Sequence, residues 1–396
     1  MSFKLMVSAG EASSDLHAAN AIRTLQQRGV NPQLFGMGGL ELQKLGMRLD
    51  VDNRELAVIG IVEVLARYPE FRKKLALLRD TLRAEKPDLL MLVDYPDFNL
   101  KLAETAISMN VPVLYYISPQ IWAWRSGRIK RIGRLVSHMA VLFPFETKYY
   151  EAEQIPVTYV GHPLMDEVPT DLVKKDCREQ LEVPQDATCI GLMPGSRRGE
   201  LKRLLPVLID SAKHLLARDP SLTFVLPLAD ALEPDSLDAY AALGDLPVKV
   251  VRGKTHEAIK ACDAVAVASG TATLEVALLG TPMVIVYKVQ AVNYAILSRL
   301  VKIPHIGLVN IVAERGVVKE LIQAQATPSA VGEELERLLH DQTYRSEVTD
   351  ALAAVAARMG APGASARVGD LINRLATDNS ASPSNGTRAS GEPDKV

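Results

Sequence analysis

The sequence predicts an α/β protein built from two doubly wound parallel sheets. Short, continuously apolar runs such as LLMLV (89–93) and AVAVA (264–268) alternate with longer helical patterns along most of the chain. Such runs are typical of parallel strands covered by helices on both faces. The alternation stops in a polar segment at 166–175 and then restarts. A chain of 396 residues is also too long for one ordinary core, so two domains are expected.

The elements follow from this alternation. In the first half we predict strands at 4–8, 33–37, 88–94, 111–117, 138–143 and 157–160, separated by helices at 13–27, 61–84, 100–109, 125–136 and 146–154. In the second half we predict strands at 188–193, 222–227, 248–251, 264–268 and 283–287, with helices at 201–217, 255–261 and 271–279. Two more helices are predicted over 328–359 and another at 368–375.

These elements define four predicted segments. They are an N-terminal Rossmann-like domain over 1–165, a second one over 166–345, C-terminal helices over 346–376, and a tail over 377–396. The tail is rich in Ser, Asn, Gly, Pro and Asp, so it cannot bury a core and is expected to be disordered.

Composition and charge exclude several classes of protein. A net charge of −2 argues against a nucleic-acid binder that works through overall charge. The three cysteines are far apart and form no C-x-x-C pair, which disfavours a disulfide framework or a zinc knuckle and fits a reducing cytosol. The sequence lacks a signal-peptide pattern and an uncharged apolar stretch near the ~20 residues of a membrane span. A soluble or peripheral protein is expected.

Polar clusters follow four of the predicted strands. They lie at 8–11, 94–97, 195–198 and 269–272. In a parallel sheet, ligands bind beyond the carboxyl ends of the strands, where helix N-termini offer unpaired N–H groups. We therefore expect two ligand-binding rims that face each other across a cleft.

The turn GSRR raises two interpretations. Gly195 and Ser196 would expose backbone N–H groups, and Arg197 would add a forked cation that suits the oxygens of a diphosphate. Alternatively, Arg197 is a surface arginine paired with Glu200. The local sequence favours neither.

The run ASGTATLE (268–275) indicates a second phosphate-binding loop. Its residues Ser269, Gly270, Thr271 and Ala272 open a helix after a buried strand, and Glu275 lies one turn further on. A carboxylate there can accept hydrogen bonds from ribose hydroxyls. The alternative is a capped helix with an exposed glutamate.

Other cofactor signatures are missing. There is no G-x-x-x-x-G-K-[ST] motif, and Glu41 stands where a dinucleotide-binding motif needs its last glycine. The Asp50-Val51-Asp52 triplet resembles a D-x-D metal motif, but it is short and lies in a predicted loop. The seven histidines show no metal-ligand spacing. No metal and no cofactor are expected.

Two basic regions favour contact with an anionic surface. Arg125, Arg128, Arg131 and Arg134 recur every three residues on a predicted helix without an intervening acid. An anionic lipid surface or a phosphorylated substrate would suit this stripe, and a solvated face is the alternative. Nucleic acid is disfavoured because stacking aromatics are lacking.

The second basic region is the predicted helix at 61–84. One apolar face suffices to pack it, which leaves further apolar residues among cations. These are Val62, Leu65 and Leu77, with Arg67, Arg72, Lys73 and Lys74 around them. This arrangement suits a membrane-surface element, and the alternative is a buried helix at a domain edge.

An ordered set of motifs resembles the lipid-A-disaccharide synthase family. The motifs are GEASSD (10–15), LAVIGIVEVL (56–65), VDYPDFN (93–99), YYISPQIWAWR (115–125), PFE (144–146), YVGHP (159–163), LMPGSRRGE (192–200), ASGTATLE (268–275), and Asn310 with Val318-Lys319-Glu320. They run in order from near the N-terminus to residue 320, so the resemblance covers nearly all of the folded chain.

The resemblance implies the GT-B glycosyltransferase fold, with two Rossmann-like domains and the sites in the cleft between them. It also implies inverting transfer of 2,3-diacylglucosamine from its UDP derivative to 2,3-diacylglucosamine 1-phosphate, without a metal. Asp94 would be the catalytic base, with Glu11 as the runner-up or a helper. Asn310 would join the donor site. Two residues depart from the family pattern: Ser14 where glycine is frequent, and Lys319 where proline is common.

Two other functions stay open at this point. One is a GT-B enzyme that acts on UDP-N-acetylglucosamine, such as a peptidoglycan transferase or an epimerase. The other is a catalytically silent nucleotide-sugar-binding protein, which intact Asp94, Arg197 and Glu275 argue against. The expected partners are the two acylated sugars and an anionic membrane surface, and the oligomeric state, including a homodimer, is undecided. The expected location is cytoplasmic, on the inner face of the inner membrane of a Gram-negative bacterium.

Overall fold

The computed structural model describes residues 3–55, 68–122, 126–228, 244, 246–290, 294 and 304–381. The chain forms two compact units. The first combines the chain up to Ile121 with Ser126–Val160 and the C-terminal segment from Ala364. The second contains Gly161–Gly363, together with the short segment 122–125.

The first unit contains a seven-stranded parallel sheet in the order β3-β2-β1-β4-β5-β6-β7. Its strands are β1 Lys4–Ala9, β2 Gln33–Gly38, β3 Arg48–Asp52, β4 Leu89–Val93, β5 Val113–Tyr116, β6 His138–Val141 and β7 Val157–Tyr159. Its helices are α1 Ala12–Gln27, α2 Leu40–Lys44, α3 Tyr68–Glu85, α4 Pro96–Ser108, α5 Ile129–Leu135 and α6 Pro144–Ala152, with α15 Ala364–Ala381 from the C-terminus.

The second unit contains a six-stranded sheet in the order β10-β9-β8-β11-β12-β13. Its strands are β8 Cys189–Met193, β9 Thr223–Leu228, β10 Val248–Arg252, β11 Ala264–Ala268, β12 Met283–Tyr287 and β13 Glu320–Ile322, all paired in parallel. Its helices are α7 Leu164–Glu167, α8 Lys174–Gln180, α9 Arg198–Leu216, α10 Thr255–Ala261, α11 Ala272–Leu278, α12 Leu308–Ala313, α13 Pro328–His340 and α14 Gln342–Arg358.

The strand order places a topological switch point in each sheet. The chain winds outward in one direction from β1 and in the other from β4, and the two strands are neighbours with Ala9 opposite Val93. The same reversal occurs in the second sheet between β8 and β11, where Met193 lies opposite Val267. Open α/β sheets form their ligand crevices at such points.

Apolar residues at helical spacing account for the packing of α3. Leu75, Leu78 and Leu82 share one face and are at most 8% exposed within the core of the first unit. On the opposite side Leu77 is 45% exposed. In the described part of this helix, the exposed Leu77 is thus one of the apolar residues predicted to be left over after packing.

The last helix, α15, returns to the first unit and packs on α1. Gly369 permits close approach, because a Cβ atom there would lie 2.5 Å from Thr24 Oγ1. The Arg367 Nε atom donates to the carbonyl of Val160 at 2.7 Å, and Arg28 pairs with Asp370. The domain boundaries predicted from the sequence differ from this arrangement. The first unit ends its N-terminal part at Val160 rather than at residue 165, and it also includes the final helix.

Several short elements differ from the sequence prediction. Helix α15 continues to Ala381, so the chain is helical beyond residue 377, where a disordered tail was predicted. Residues 382–396 lie outside the described part. Asp50 and Asp52 lie on strand β3 rather than in a loop, and α12 and β13 were not predicted. These elements are three to six residues long, so they give little periodicity to detect.

Candidate active site

The first switch point brings Asp94 and Glu11 to neighbouring strand ends. Asp94 directly follows β4, and Glu11 follows β1 as the N-cap residue of α1. Asp94 is half-buried, whereas Glu11 is exposed. The two candidate carboxylates therefore belong to one edge of one sheet, as their positions after predicted strands suggested.

Asp94 has an unusual backbone conformation. Its φ is 49° and that of Tyr95 is 50°, so two consecutive non-glycine residues are left-handed. Such conformations are unfavourable and cluster at functional sites, where surrounding contacts maintain them. Here the Asp94 N–H donates to the Tyr116 carbonyl at 3.0 Å. The Asp94 carbonyl accepts from Tyr115 Oη and Asn99 Nδ2, each at 2.7 Å.

The main chain around Glu11 is also fixed by a buried asparagine. Asn53 Nδ2 lies 3.2 Å from the Ala9 carbonyl and 3.3 Å from that of Glu11. Gly10 is required by packing, since a Cβ atom would lie 2.5 Å from the Tyr95 ring. Tyr95 thus links the loop after β1 to the loop after β4.

The second switch point brings together the two predicted phosphate-binding loops. Gly195, Ser196 and Arg197 follow β8, and Ser269 and Gly270 follow β11, the neighbouring strand. Both segments lead directly into helices, α9 and α11. This arrangement offers backbone N–H groups from two helix starts at one sheet edge.

In the GSRR turn, both interpretations of Arg197 have structural support. Its side chain is 61% exposed, and Nη1 lies 3.3 Å from Oε1 of Glu200. Glu200 Oε2 also accepts from the Arg197 backbone N–H at 3.4 Å, and this contact caps the start of helix α9. Gly195 has φ 102°, and a Cβ atom there would lie 2.3 Å from Glu200 Oε2. The turn therefore needs glycine at 195 and presents an accessible arginine.

The loop after β11 leaves space around its glycine. Gly270 has φ 156°, and a Cβ atom there would meet no atom within 4 Å. Ser269 Oγ donates to the Ile306 carbonyl at 3.1 Å, and Thr271 precedes α11. Glu275 is 19% exposed and its Oε2 lies 3.2 Å from Nε2 of His256. The hydrogen bond to Glu275, opposed by burial, raises the pKa of His256.

The structure gives Asn310 a different position from the one expected. It was expected to bind the donor, but its side chain is fully buried. Its Nδ2 donates to the Val318 carbonyl at 2.9 Å and to Glu320 Oε1 at 2.7 Å, and its Oδ1 accepts from the N–H groups of Val317 and Val318. These four bonds use the hydrogen-bonding capacity of the amide. Asn310 therefore shapes the segment before β13 through internal contacts.

The described part of the basic stripe, which comprises Arg128 just before α5 and Arg131 and Arg134 on it, is partly neutralised by acids from α4. Arg128 pairs with Asp97, and Arg131 Nη2 lies 2.7 Å from Glu104 Oε1. The stripe is thus less cationic than its sequence indicated.

Among the basic residues of α3, some are exposed and one is paired with an acid. Arg72 and Lys73 are exposed, whereas Lys74 pairs with Glu55. Val62, Leu65, Arg67 and Arg125 lie outside the described residues. Arg72, Lys73 and the exposed Leu77 are therefore the described members of the predicted membrane-surface element.

Three residues near the candidate sites were not singled out from the sequence. Asn99 and Tyr115 hold Asp94, and His256 contacts Glu275. Asn99 belongs to VDYPDFN and Tyr115 begins YYISPQIWAWR, so motif membership was the available signal. His256 had no comparable signal, because it precedes Glu275 by 19 residues.

The described part of the chain has neither a candidate metal site nor a candidate membrane-spanning helix. It contains no group of three or more His, Cys, Asp or Glu placed to hold a metal ion. The D-x-D carboxylates instead pair with arginines, Asp50 with Arg48 and Asp52 with Arg54. None of the helices in this part has the length and apolar character that crossing a bilayer requires.

Solved structures share this fold. S. aureus MnaA in complex with UDP superposes with a TM-score of 0.66 at 14% identity, covering 98% of this chain and all of that one. MurG of Acinetobacter baumannii superposes with a TM-score of 0.56 at 19% identity, covering 93% and 99%. Two doubly wound sheets with these neighbours define the GT-B fold.

Sequence comparison then identifies the family. The family model for lipid-A-disaccharide synthetase matches residues 5–360. The lipid-A-disaccharide synthase of Geobacter metallireducens is 43% identical over 369 residues, which cover 93% of this chain and 96% of that protein. That of Trichlorobacter lovleyi is 44% identical over the same shares. The chain belongs to the lipid-A-disaccharide synthase family and is a glycosyltransferase, which confirms the resemblance and the predicted fold class.

Proposed function

We propose that this enzyme transfers 2,3-diacylglucosamine from its UDP derivative to the 6-hydroxyl of 2,3-diacylglucosamine 1-phosphate. The products are the β-1,6-linked disaccharide 1-phosphate and UDP. The observation that carries this proposal is the family match over residues 5–360, supported by 43% identity to a named synthase across 93% of the chain. The candidate residues of both switch points fall inside that match.

The donor is proposed to bind at the second switch point. Arg197, with its exposed guanidinium, and the N–H groups around Ser269–Ala272 would contact the diphosphate. They would stabilise the negative charge that grows on UDP as the bond to the sugar breaks. Glu275 would accept hydrogen bonds from the ribose hydroxyls. Asn310 would contribute indirectly, through the segment that it fixes.

The acceptor is proposed to bind at the first switch point, where Asp94 is the base. An alcohol is a poor nucleophile at neutral pH and needs a group that takes its proton during attack. Three hydrogen bonds hold the backbone N–H and carbonyl of the half-buried Asp94, so the backbone that carries its carboxylate is fixed in place. Glu11 at the adjacent strand end is the alternative base, or a residue that orients the acceptor.

Both substrates carry acyl chains, so the enzyme is proposed to act at an anionic membrane surface. The exposed residues Arg72, Lys73 and Leu77 of α3 support this proposal. Arg128 contributes less, because Asp97 already pairs with it. We place the enzyme in the cytoplasm, peripherally on the inner face of the inner membrane. We also propose an acceptor- and membrane-side role for the first unit and a donor-side role for the second.

One assay tests the reaction. The purified chain is incubated with both acylated sugars in detergent, and the products are separated to detect disaccharide phosphate and free UDP in equal amounts. Reactions that lack either sugar, and reactions with UDP-N-acetylglucosamine as the donor, serve as controls. Turnover of UDP-N-acetylglucosamine without disaccharide phosphate would instead support the related GT-B activities.

A further inference from the structure

We infer that Tyr115 is a positioning residue for the reaction: with Asn99, its hydroxyl holds the main chain of Asp94 in the conformation from which the carboxylate acts. This inference rests on the proposed role of Asp94 as the base.

Tyr115 reaches Asp94 from the neighbouring strand. It lies on β5, opposite Leu92 of β4, and its side chain is fully buried. Its Oη donates to the Asp94 carbonyl at 2.7 Å. Burial, followed by the charge of Asp94, raises the pKa of Tyr115, so the hydroxyl remains protonated and able to donate.

Asn99 supplies the second donor to the same carbonyl. Its Nδ2 lies 2.7 Å from Asp94 O and 3.3 Å from Ser8 O, and its Oδ1 accepts from Ser8 Oγ at 2.6 Å. Asn99 therefore ties the ends of β1 and β4 together at the switch point. Tyr115 makes no such link, so its substitution affects Asp94 more selectively.

The backbone conformation gives these bonds a functional meaning. A left-handed aspartate next to a left-handed tyrosine is maintained only if its surroundings hold it. Loss of one of two donors to the Asp94 carbonyl allows that peptide to relax, which displaces the base. A displacement of about 1 Å at a reacting group can cost on the order of 100-fold in rate.

The first test is Tyr115→Phe, compared with Tyr150→Phe. Tyr150 is a matched control, because it is also fully buried in the first unit and its hydroxyl lies 2.6 Å from Ser118 Oγ. We expect kcat of Tyr115→Phe to fall about tenfold, with KM for both sugars changed less than about twofold. Tyr150→Phe should keep kcat and lose a similar, small amount of thermal stability.

The second test is a double-mutant cycle with Asp94→Asn. If Tyr115 acts through the Asp94 carboxylate, Tyr115→Phe should cost no further kcat in the Asp94→Asn background. If Tyr115→Phe does not fold, Asn99→Ala takes its place in the same double-mutant cycle, because it removes the other donor to the Asp94 carbonyl.

The outcomes separate this inference from the proposed function. A kcat for Tyr115→Phe equal to that of Tyr150→Phe, with Asp94→Asn inactive, overturns the inference alone. A further tenfold loss in the double variant also overturns it, because Tyr115 would then act independently of the base. Full turnover by Asp94→Asn would overturn the inference together with the assignment of the base.

Discussion

Nε2 of His256 lies 3.2 Å from Oε2 of Glu275, joining the start of α10 to the middle of α11 beside the second switch point. The hydrogen bond to Glu275 is the main reason that the pKa of His256 is raised, and the charges of Glu275, Glu257 and Glu167 add to it, while burial opposes. A proton on His256 therefore stabilises the folded state more than the unfolded state.

This shift predicts a pH-dependent stability. The contribution of His256 should be complete below its unfolded pKa, about 6.5, and should disappear as the pH rises through the higher folded value. We expect His256→Gln to lower the thermal midpoint relative to the unaltered chain at pH 5.5, with a smaller difference at pH 8.5. The pair is partly exposed, so its effect should stay below about 1 kcal/mol.

His138 provides a control of opposite sign. Burial, with the charge of Arg374, lowers the pKa of His138, whose Nε2 lies 2.8 Å from Thr158 Oγ1. Its contribution should be present at high pH and lost on acidification. The thermal midpoints of His138→Gln and His256→Gln should therefore respond to pH in opposite directions, and the same pH trend in both variants would show that the local contacts do not govern the effect.

Arg197→Ala should remove most turnover. Loss of one charge that stabilises the departing UDP is expected to reduce kcat about 100-fold or more. The fold should be unaffected, because the pair with Glu200 is exposed and such pairs contribute less than about 1 kcal/mol.

Arg198→Ala is the matched control for that substitution. Arg198 is adjacent, equally cationic and also exposed, but it is the first residue of α9 rather than its N-cap. We expect nearly unchanged kcat and UDP affinity. Equal losses of kcat in the two variants would show that the general positive charge of the turn, rather than Arg197 itself, supports turnover.

Removal of two cations from α3 should weaken binding to anionic vesicles. Each basic residue near such a surface contributes about 1 kcal/mol to the free energy of membrane binding. Arg72→Gln with Lys73→Gln should therefore lower partitioning of the protein onto vesicles roughly 30-fold at low salt. The measurement is co-sedimentation with phosphatidylglycerol vesicles at increasing salt, which should abolish the difference.

The matched control for charge is Lys213→Gln with Arg218→Gln in the second unit, where each cation already pairs with an acid. For apolar contacts, Leu77→Ser can be compared with Leu40→Ser, since these leucines are 45% and 50% exposed. Val62→Ser with Leu65→Ser extends the test to the segment outside the described residues. Unchanged sedimentation of every α3 variant would contradict the proposed membrane surface.

The sequence predicted the two-sheet architecture because its buried strands are continuous apolar runs followed by polar turns. This pattern placed Asp94 and Glu11, and likewise Arg197 and Ser269, at strand ends. Contacts between distant segments gave no local signal. The pairing of Arg131 with Glu104 of another helix is one example.

Two further features had no local signal in the sequence: the hydrogen bonds that occupy the whole Asn310 amide, and the strained backbone at Asp94. Asn310 belongs to the family motif, yet its buried position depends on segments eight to ten residues away. Aspartate adopts a left-handed φ only occasionally, so the sequence did not indicate this conformation at Asp94. Hydrogen bonds from Tyr115 and Asn99, and one to the Tyr116 carbonyl, hold the main chain there.

The central claim is that the Asp94 carboxylate takes the proton of the attacking hydroxyl. Asp94→Asn keeps the size and most of the hydrogen bonding of the side chain but cannot accept the proton, so it separates catalysis from structure. We expect kcat to fall on the order of 100- to 10,000-fold, the usual contribution of a general base. Binding of UDP, measured by calorimetry, should be nearly unchanged.

The most direct measurement is therefore kcat of Asp94→Asn beside Glu11→Gln under saturating concentrations of both sugars. The account predicts that Asp94→Asn loses nearly all turnover while its UDP affinity persists. Substantial turnover by Asp94→Asn together with an inactive Glu11→Gln would contradict it and would make Glu11 the base.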